Sequence, residues 1–252
     1  MHPLLNLGAR VVPRSFKERL KEDLIRRLQA PSMELSLKNM RRLGFKPATI
    51  IDVGAHVGEW SLEVHEIFPQ ASILMIEAQE SKAPTLDKIV QAQGGKIQRR
   101  IAVLGPENRE NVPFRECDDA PTGSSMLECR EQLSFRVVQR RMECLDDVLA
   151  GAGIAKPDFL KLDVQGYELE VLKGAPKTLA MAEVVLLEVS TIELYEGAPL
   201  FHEVIAFMHS HGYRAHDIST LMRQRSADTL LQVDVIFVRN DSPLIAEAIK
   251  GL

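Results

Sequence analysis

Apolar residues follow two alternating patterns along most of the chain. Short runs rich in β-branched residues predict strands at 48–53, 73–76, 96–104, 159–164, 184–189 and 233–238. Between most of these runs, apolar residues at helical spacing predict helices at 60–68, 83–92, 167–180 and 201–211. Strands that alternate with helices of this length indicate βαβ units and an α/β fold with a parallel sheet.

The first part of the chain departs from this alternation. Helical spacing over 14–44, broken at Ala30-Pro31-Ser32, predicts two helices, of which the second starts near Met33 and ends at Gly44. We therefore expect an N-terminal helical extension over 1–47, a main domain over 48–240 and a C-terminal tail over 241–252. The extension is expected to cover the main domain, and a lid over a ligand site or a homodimer contact is the alternative.

A second departure is the segment 105–145, which contains three prolines and one predicted strand at Phe135–Gln139. Long excursions from a compact domain are often functional. We expect this segment to lie on the side of the domain that binds ligands.

Composition excludes several classes of protein. The 252 residues carry a net charge of −4 and only 5% aromatic residues, which disfavours a nucleic-acid partner. No uncharged apolar run reaches the about 18 residues that a membrane helix needs, so no membrane span is expected. The three cysteines match no zinc spacing and indicate reduced thiols in a cytoplasmic protein.

The strongest local motif is a glycine turn after the first strand of the main domain. Asp52 lies near the strand's end, and Gly54 and Gly58 permit a tight turn and close approach of a ligand. The next strand ends in Glu77, an acid placed to accept hydrogen bonds from both hydroxyls of a ribose. The pattern predicts a cofactor that contains a nucleoside.

The spacing of the glycines helps to decide which cofactor this is. A dinucleotide site takes G-x-G-x-x-G, whereas this chain has G-x-x-x-G with Asp52 beside the turn. Asp52 would repel a pyrophosphate and suits a cationic amino-acid end. S-adenosylmethionine is favoured over NAD on this ground, and a nicotinamide-dependent oxidoreductase is disfavoured.

A second motif follows the strand at 159–164. Asp163 is expected beyond the carboxyl end of a central strand, beside the glycine turn, where ligands bind in doubly wound sheets. Gly166 permits a turn, and Glu168 starts the next helix, where an acid is favoured. The two motifs together predict that candidate binding and catalytic residues lie at one edge of the sheet.

Together these motifs closely resemble the FkbM family of S-adenosylmethionine-dependent methyltransferases. The resemblance spans about 48–240 and rests on five separated stretches: Ile51–Ser61, Gly123–Met126, Cys144–Leu149, Leu160–Ala175 and Glu188–Val204. It implies the class I methyltransferase (Rossmann-like) fold, a seven-stranded, mostly parallel sheet with helices on both faces and an antiparallel strand near the end. One departure is His56, where the family often has Asn.

The family resemblance also implies an activity. Its members typically methylate hydroxyl groups on sugars, macrolides and other small molecules, and a few methylate an amide nitrogen of peptides. We expect O-methylation of a small-molecule or saccharide acceptor, with S-adenosylhomocysteine as product. N-methylation of a peptide amide and a catalytically silent cofactor-binding scaffold are the alternatives, and a divalent metal is left open without being predicted.

The expected site residues fall into three groups. A hydroxyl is a poor nucleophile, so a base should assist, and the catalytic candidates are Asp163, Glu188 and His202. The expected cofactor contacts are Asp52, Gly54, His56, Val57, Gly58, Glu77, Ala78, Ala102 and Asp163. The expected acceptor contacts are Ser124, Ser125, Glu168 and Tyr195, and no metal ligand is assigned.

Overall fold

A computed structural model describes residues 22–250, except 26, 120, 121, 132 and 225. Its helices are the described part of α1 (22–25 and 27–28), α2 (Met33–Arg42), α3 (Glu59–Ile67), α4 (Ala83–Ala92), α5 (Leu145–Gly151), α6 (Glu168–Lys173), α7 (Pro176–Met181), α8 (Phe201–Ser210) and α9 (Pro243–Ile249). Its strands are β1 (Thr49–Val53), β2 (Ser72–Glu77), β3 (Ile97–Ile101), β4 (Val103–Leu104), β5 (Arg109–Cys117), β6 (Phe135–Glu143), β7 (Phe159–Leu162), β8 (Val184–Ser190), β9 (Tyr213–Arg223) and β10 (Leu230–Arg239). A 3₁₀ turn at Glu80–Lys82 precedes α4.

The main sheet has seven strands in the order β3-β2-β1-β7-β8-β10-β9. The first five run parallel to one another, whereas β10 pairs antiparallel with both β8 and β9. The predicted mostly parallel sheet with one antiparallel strand near the end is therefore confirmed. The carboxyl ends of β1, β2 and β7 lie side by side at one edge of this sheet.

Both faces of the sheet are covered, which explains the nearly continuous apolar runs of its central strands. Ile51 of β1 packs in a core with α5 to α8, and Ile50 packs on the other face in a core with α2, α3, α4 and α9. Alternate residues of each strand thus point into different cores. Asp52 and Lys161 share the face of Ile50 and are buried near the sheet's carboxyl edge.

The described part of the N-terminal extension packs on the main domain. Ser32 caps α2, and Leu37 and Met40 of that helix are buried on the sheet. The Ser36 hydroxyl also donates a hydrogen bond of 2.6 Å to Asp217 on β9. The predicted helix positions before residue 22 lie outside the described residues, and the expected C-terminal tail contains helix α9.

Two predicted elements are divided in the structure. The strand expected at 96–104 is two strands, because Ala102 donates its backbone N–H to Glu77 and the chain then leaves the main sheet. The helix expected at 167–180 is α6 and α7, because Gly174 and Ala175 end the first helix and Pro176 starts the second. The first break places Ala102 in the lining of the cleft described below.

The excursion at 105–145 forms most of a second sheet, in the order β4-β6-β5. The strand predicted at Phe135–Gln139 extends to Glu143, and β5 is a strand that the sequence did not predict. Pro113 interrupts its pattern but is tolerated because β5 is an edge strand. Val103, Val112, Phe114 and Met142 form a small core in this sheet.

Candidate functional site

A cleft opens where the carboxyl ends of β1, β2 and β7 face the second sheet. Gly54, Glu77 and Asp163 line it from the main sheet. Leu104 and Phe114 line it from the second sheet. The cleft therefore has a polar wall at strand ends and an apolar wall opposite.

The glycine turn is shaped by contacts within the protein. Gly54 has φ +77°, and its N–H donates to the Ile76 carbonyl at 2.9 Å. A Cβ at Gly54 would lie 1.8 Å from the Asp163 carbonyl oxygen, and one at Gly58 would lie 2.5 Å from the Ile89 side chain. The tight turn is as predicted, but the space that the missing Cβ atoms leave is filled by these two residues and not by a ligand.

Glu77 presents its carboxylate to the cleft from the end of β2. Its Oε2 accepts a hydrogen bond from the His56 backbone N–H at 2.7 Å, and its Oε1 accepts one from the Gln79 N–H at 2.8 Å. Burial raises the pKa of Glu77, and the backbone N–H groups of Gln79, His56 and Ala78 oppose that rise. Each oxygen keeps a second lone pair that can accept a hydrogen bond from a ligand hydroxyl.

Asp52 lies beneath the turn and is not part of the cleft lining. It is fully buried, and its Oδ2 accepts a hydrogen bond of 2.7 Å from Ser61, while Lys161 Nζ lies 3.2 Å from its Oδ1. Asp52 is therefore paired within the protein by Ser61 and Lys161, and its contact with the cationic end of a cofactor stays a prediction. Lys161 also donates to the Gly54 carbonyl at 3.2 Å, which ties β7 to the turn.

The loop between β7 and α6 is clamped from two sides. Oε1 of the buried Glu168 accepts hydrogen bonds from the backbone N–H groups of Val164 and Gly166 at 2.9 and 3.2 Å. The Ser125 hydroxyl donates to the Gln165 carbonyl at 2.8 Å. Burial raises the pKa of Glu168 to about 7. Glu168 and Ser125 hold this loop in the structure, and their predicted contact with the acceptor stays a prediction.

Gln165, which lines the cleft at its polar wall, links three side chains. Its Nε2 donates to Asp163 Oδ1 at 2.9 Å and to Glu188 Oε2 at 2.7 Å. Its Oε1 accepts a hydrogen bond of 2.8 Å from the Tyr195 hydroxyl. Burial raises the pKa of Glu188 well above its usual range, and Asp163 and Glu168 raise it further. The predicted residues Asp163, Glu188 and Tyr195 are thus brought together by one residue that the sequence analysis did not single out.

The other predicted residues divide into three sets. His56, Ala78, Ala102 and Ser124 line the cleft, and the Ser124 hydroxyl accepts a hydrogen bond from the Cys117 N–H. Val57 and Gly58 follow the turn without lining the cleft. His202 is exposed on α8, and the structure does not bring it to the cleft.

Several cleft residues escaped the sequence analysis. Phe114, Met126 and Tyr167 line the apolar wall, and they come from the excursion and from the loop before α6. Their apolar character was visible, but the second sheet that brings them to the cleft was not predicted. Residues 22–250, apart from the five omitted positions, contain no group of three or more His, Cys, Asp or Glu residues placed to hold a metal ion. None of the described helices is long and apolar enough to cross a membrane.

Comparison with known proteins decides the family. Residues 52–215 match the family described as Methyltransferase FkbM domain, which covers more than half of the 252 residues. The chain belongs to the FkbM methyltransferase family. The matched FkbM domain begins at Asp52 and includes the glycine turn, Glu77, Asp163 and Glu188. Its seven-stranded sheet has the class I methyltransferase fold that the resemblance implied.

The FkbM chain is also similar to individual proteins. It is 42% identical over 53 residues, 21% of this chain and 22% of the relative, to the 2-O-methyltransferase NoeI of Sinorhizobium fredii. A crystal structure of Methyltransferase FkbM from Methylobacillus flagellatus is 17% identical, with TM-score 0.49, and the match covers 75% of this chain and 43% of that one. The chain thus spans about a fifth of the curated relative and less than half of that FkbM structure.

A further solved structure matches over nearly the whole chain. This is the 1,6-didemethyltoxoflavin-N1-methyltransferase of Burkholderia thailandensis, which was solved with 1,6-didemethyltoxoflavin and S-adenosylhomocysteine bound. It is 11% identical, with TM-score 0.44, and the match covers 96% of this chain and 93% of that one.

Proposed function

We propose that this methyltransferase uses S-adenosylmethionine and methylates a hydroxyl oxygen of a small-molecule or saccharide acceptor. The observation that carries the proposal is the Glu77 carboxylate, held at the end of β2 by the N–H groups of His56 and Gln79. In an open α/β sheet, an acid at this position can bind both hydroxyls of a ribose. FkbM membership supplies the reaction class.

The residues of the cleft fit a nucleoside cofactor. Glu77 offers acceptor lone pairs for the ribose, and Leu104 and Phe114 offer an apolar wall for the purine. His56 supports this fit, since its Nε2 is buried and has no hydrogen-bond partner among the described residues. Burial lowers the pKa of His56, which favours the neutral ring. A neutral imidazole can donate or accept one further hydrogen bond to a ligand.

The chemistry needs an activated methyl group and a place for one proton. The sulfonium of S-adenosylmethionine supplies the methyl group, and its sulfur keeps the electron pair of the broken S–C bond. The acceptor oxygen forms the new bond to carbon and loses its proton. We assign that proton to a carboxylate of the Asp163–Glu188 pair, since Asp163 lines the cleft and both side chains share the Gln165 amide.

We propose Glu188 as the proton acceptor of the two on the basis of its basicity. Its raised pKa makes its carboxylate a stronger base than an exposed glutamate. Asp163 lines the cleft beside the glycine turn, so it is assigned to orienting the bound groups. The short match to a 2-O-methyltransferase supports oxygen as the atom that is methylated.

The proposal is tested by methyl transfer from S-adenosylmethionine to a panel of acceptors, read as S-adenosylhomocysteine formed. The panel contains neutral methyl pyranosides, the same sugars with each hydroxyl replaced in turn by hydrogen, and short peptides. We expect turnover with a hydroxylated sugar and its loss when one particular hydroxyl is removed. Turnover with peptides alone would contradict O-methylation, and binding without turnover on any acceptor would support a silent scaffold.

A further inference from the structure

Gln165 occupies a strained position at the polar wall of the cleft. Its φ is +57°, in the left-handed region that residues other than glycine seldom adopt. Such strain persists only where surrounding contacts impose it, and it is concentrated at functional sites. Here the contacts are known, because Glu168 holds the flanking N–H groups and Ser125 holds the Gln165 carbonyl.

The side-chain amide of Gln165 has one chemically acceptable orientation. Two of its three partners are the Asp163 and Glu188 carboxylates, which accept hydrogen bonds when ionised. The NH₂ group must face them, since the opposite orientation would set an amide oxygen against two carboxylates. The oxygen then faces the Tyr195 hydroxyl, which donates to it. Both amide hydrogens and the oxygen are thus in use.

Glu188 has a second amide support. The Nε2 of Gln232, a residue that is 3% exposed on β10, donates to the same Glu188 Oε2 at 2.8 Å. Both amides bind one oxygen, and the described residues offer no hydrogen bond to the other. The two glutamines therefore fix the carboxylate through Oε2, and no described residue hydrogen-bonds Oε1.

We propose that Gln165, which lines the cleft, is a positioning residue that holds Asp163, Glu188 and Tyr195 in one arrangement, with Gln232 as the second support of Glu188. This proposal rests on the proposed function, because it takes Glu188 as the group that receives the acceptor's proton. Gln165 acts through these side chains. If the Gln165 amide were removed, the Asp163 and Glu188 carboxylates would lose the hydrogen-bond donor that lies between them.

The test follows the Glu188 carboxyl itself, by NMR of chain labelled with ¹³C-glutamate, with Glu188→Gln used to assign the signal. Gln165→Met keeps the size of the side chain and removes its hydrogen bonds. Gln232→Met removes the other support, and Gln98→Ala, at an exposed position on β3, is the matched control. S-adenosylhomocysteine binding and the melting temperature are measured on every variant.

We expect the Glu188 titration midpoint to move upward by about one pH unit in Gln165→Met, because a charge-assisted hydrogen bond to the ionised form is lost. Gln232→Met should move it in the same direction, and Gln98→Ala should leave it unchanged. A merely structural role for Gln165 would lower the melting temperature without this specific change.

An unchanged Glu188 midpoint in folded Gln165→Met protein would overturn the proposal. If Gln165→Met does not fold, Gln165→Glu, which keeps the shape of the side chain, takes its place. Its extra carboxyl should move the Glu188 midpoint upward, and no movement would again overturn the proposal. Failure of wild-type protein to bind S-adenosylhomocysteine would count against the proposed cofactor while leaving the titration readable, so the two failures are distinguishable.

Discussion

Lys161 and Asp52 form a buried ion pair beneath the glycine turn, with 3.2 Å between Nζ and Oδ1. Their side chains are only 9% and 0% exposed. Burial alone would lower the pKa of Lys161, but Asp52 and Asp163 together raise it above its ordinary value. The lysine therefore stays charged and joins the turn, β1 and β7 into one unit under the cleft.

Removal of this lysine should destabilise the fold strongly. Lys161→Met leaves Asp52 buried without its cation, and we expect the free energy of unfolding to fall by about 3–5 kcal/mol. Lys156→Met is the matched control, since Lys156 is 72% exposed and lies 3.5 Å from Asp158. Loss of this exposed ion pair should lower the free energy of unfolding by less than about 1 kcal/mol. Urea unfolding of both variants checks the prediction, and equal losses would contradict it.

The double variant Asp52→Asn/Lys161→Met separates the charge from the packing. Neutralising the aspartate removes the uncompensated charge, so the double variant should be more stable than Lys161→Met alone. Urea titrations of wild type, Asp52→Asn, Lys161→Met and the double variant give the coupling between the two sites. A double variant whose losses simply add would show that the two charges do not interact.

Gly54 should tolerate no side chain. Gly54→Ala combines a φ of +77° with a Cβ 1.8 Å from the Asp163 carbonyl oxygen, so the backbone must move. Gly197→Ala shares the left-handed backbone, with φ +74°, but its Cβ would meet nothing within 4 Å. We expect about 1 kcal/mol of destabilisation at Gly197 and at least about 3 kcal/mol at Gly54, measured by thermal and urea unfolding. Similar losses of stability in the two variants would mean that backbone conformation alone explains why position 54 requires glycine.

Glu168 should make stability depend on pH. Its pKa is raised from the ordinary 4.5 to about 7, so the protonated form is favoured by folding. The resulting stability is fully present below about pH 4.5 and is lost as the pH rises through 7. Relative to that of Glu168→Gln, the free energy of unfolding of wild-type protein should fall by up to about 3 kcal/mol between pH 4.5 and 8. Urea unfolding across this range checks it, and parallel curves for the two proteins would contradict the assignment.

The main sheet was predictable because its central strands are short apolar runs that end in chemically distinctive residues. The runs at 48–53 and 184–189 survive almost unchanged as β1 and β8. The division of 96–104 was not predictable from its apolar residues. It depends on Ala102 bonding to Glu77, a contact between strands that local pattern does not contain.

The candidate site was predictable in position more than in role. Glu77 and Asp163 were placed correctly at the cleft, since carboxyl ends of parallel strands meet at one edge. The buried pairing of Asp52 was not predicted, because its partner, Lys161, lies on the neighbouring strand. A lysine between the buried Leu160 and Leu162 was the available signal, as buried lysines require a partner. The role of Gln165 was not predictable, because it depends on a left-handed backbone and on a contact with Tyr195 that only the fold provides.

The central claim is that Glu77 binds the ribose of the cofactor, and calorimetric titration with S-adenosylhomocysteine tests it most directly. Glu77→Gln keeps the shape of the side chain, Glu77→Ala removes it, and Glu80→Ala, at a side chain that is 69% exposed, is the control. We predict micromolar binding by wild type and Glu80→Ala, weakened by about 1–3 kcal/mol in Glu77→Ala. Equal affinity in folded Glu77→Ala, or no binding by wild type, would contradict the account.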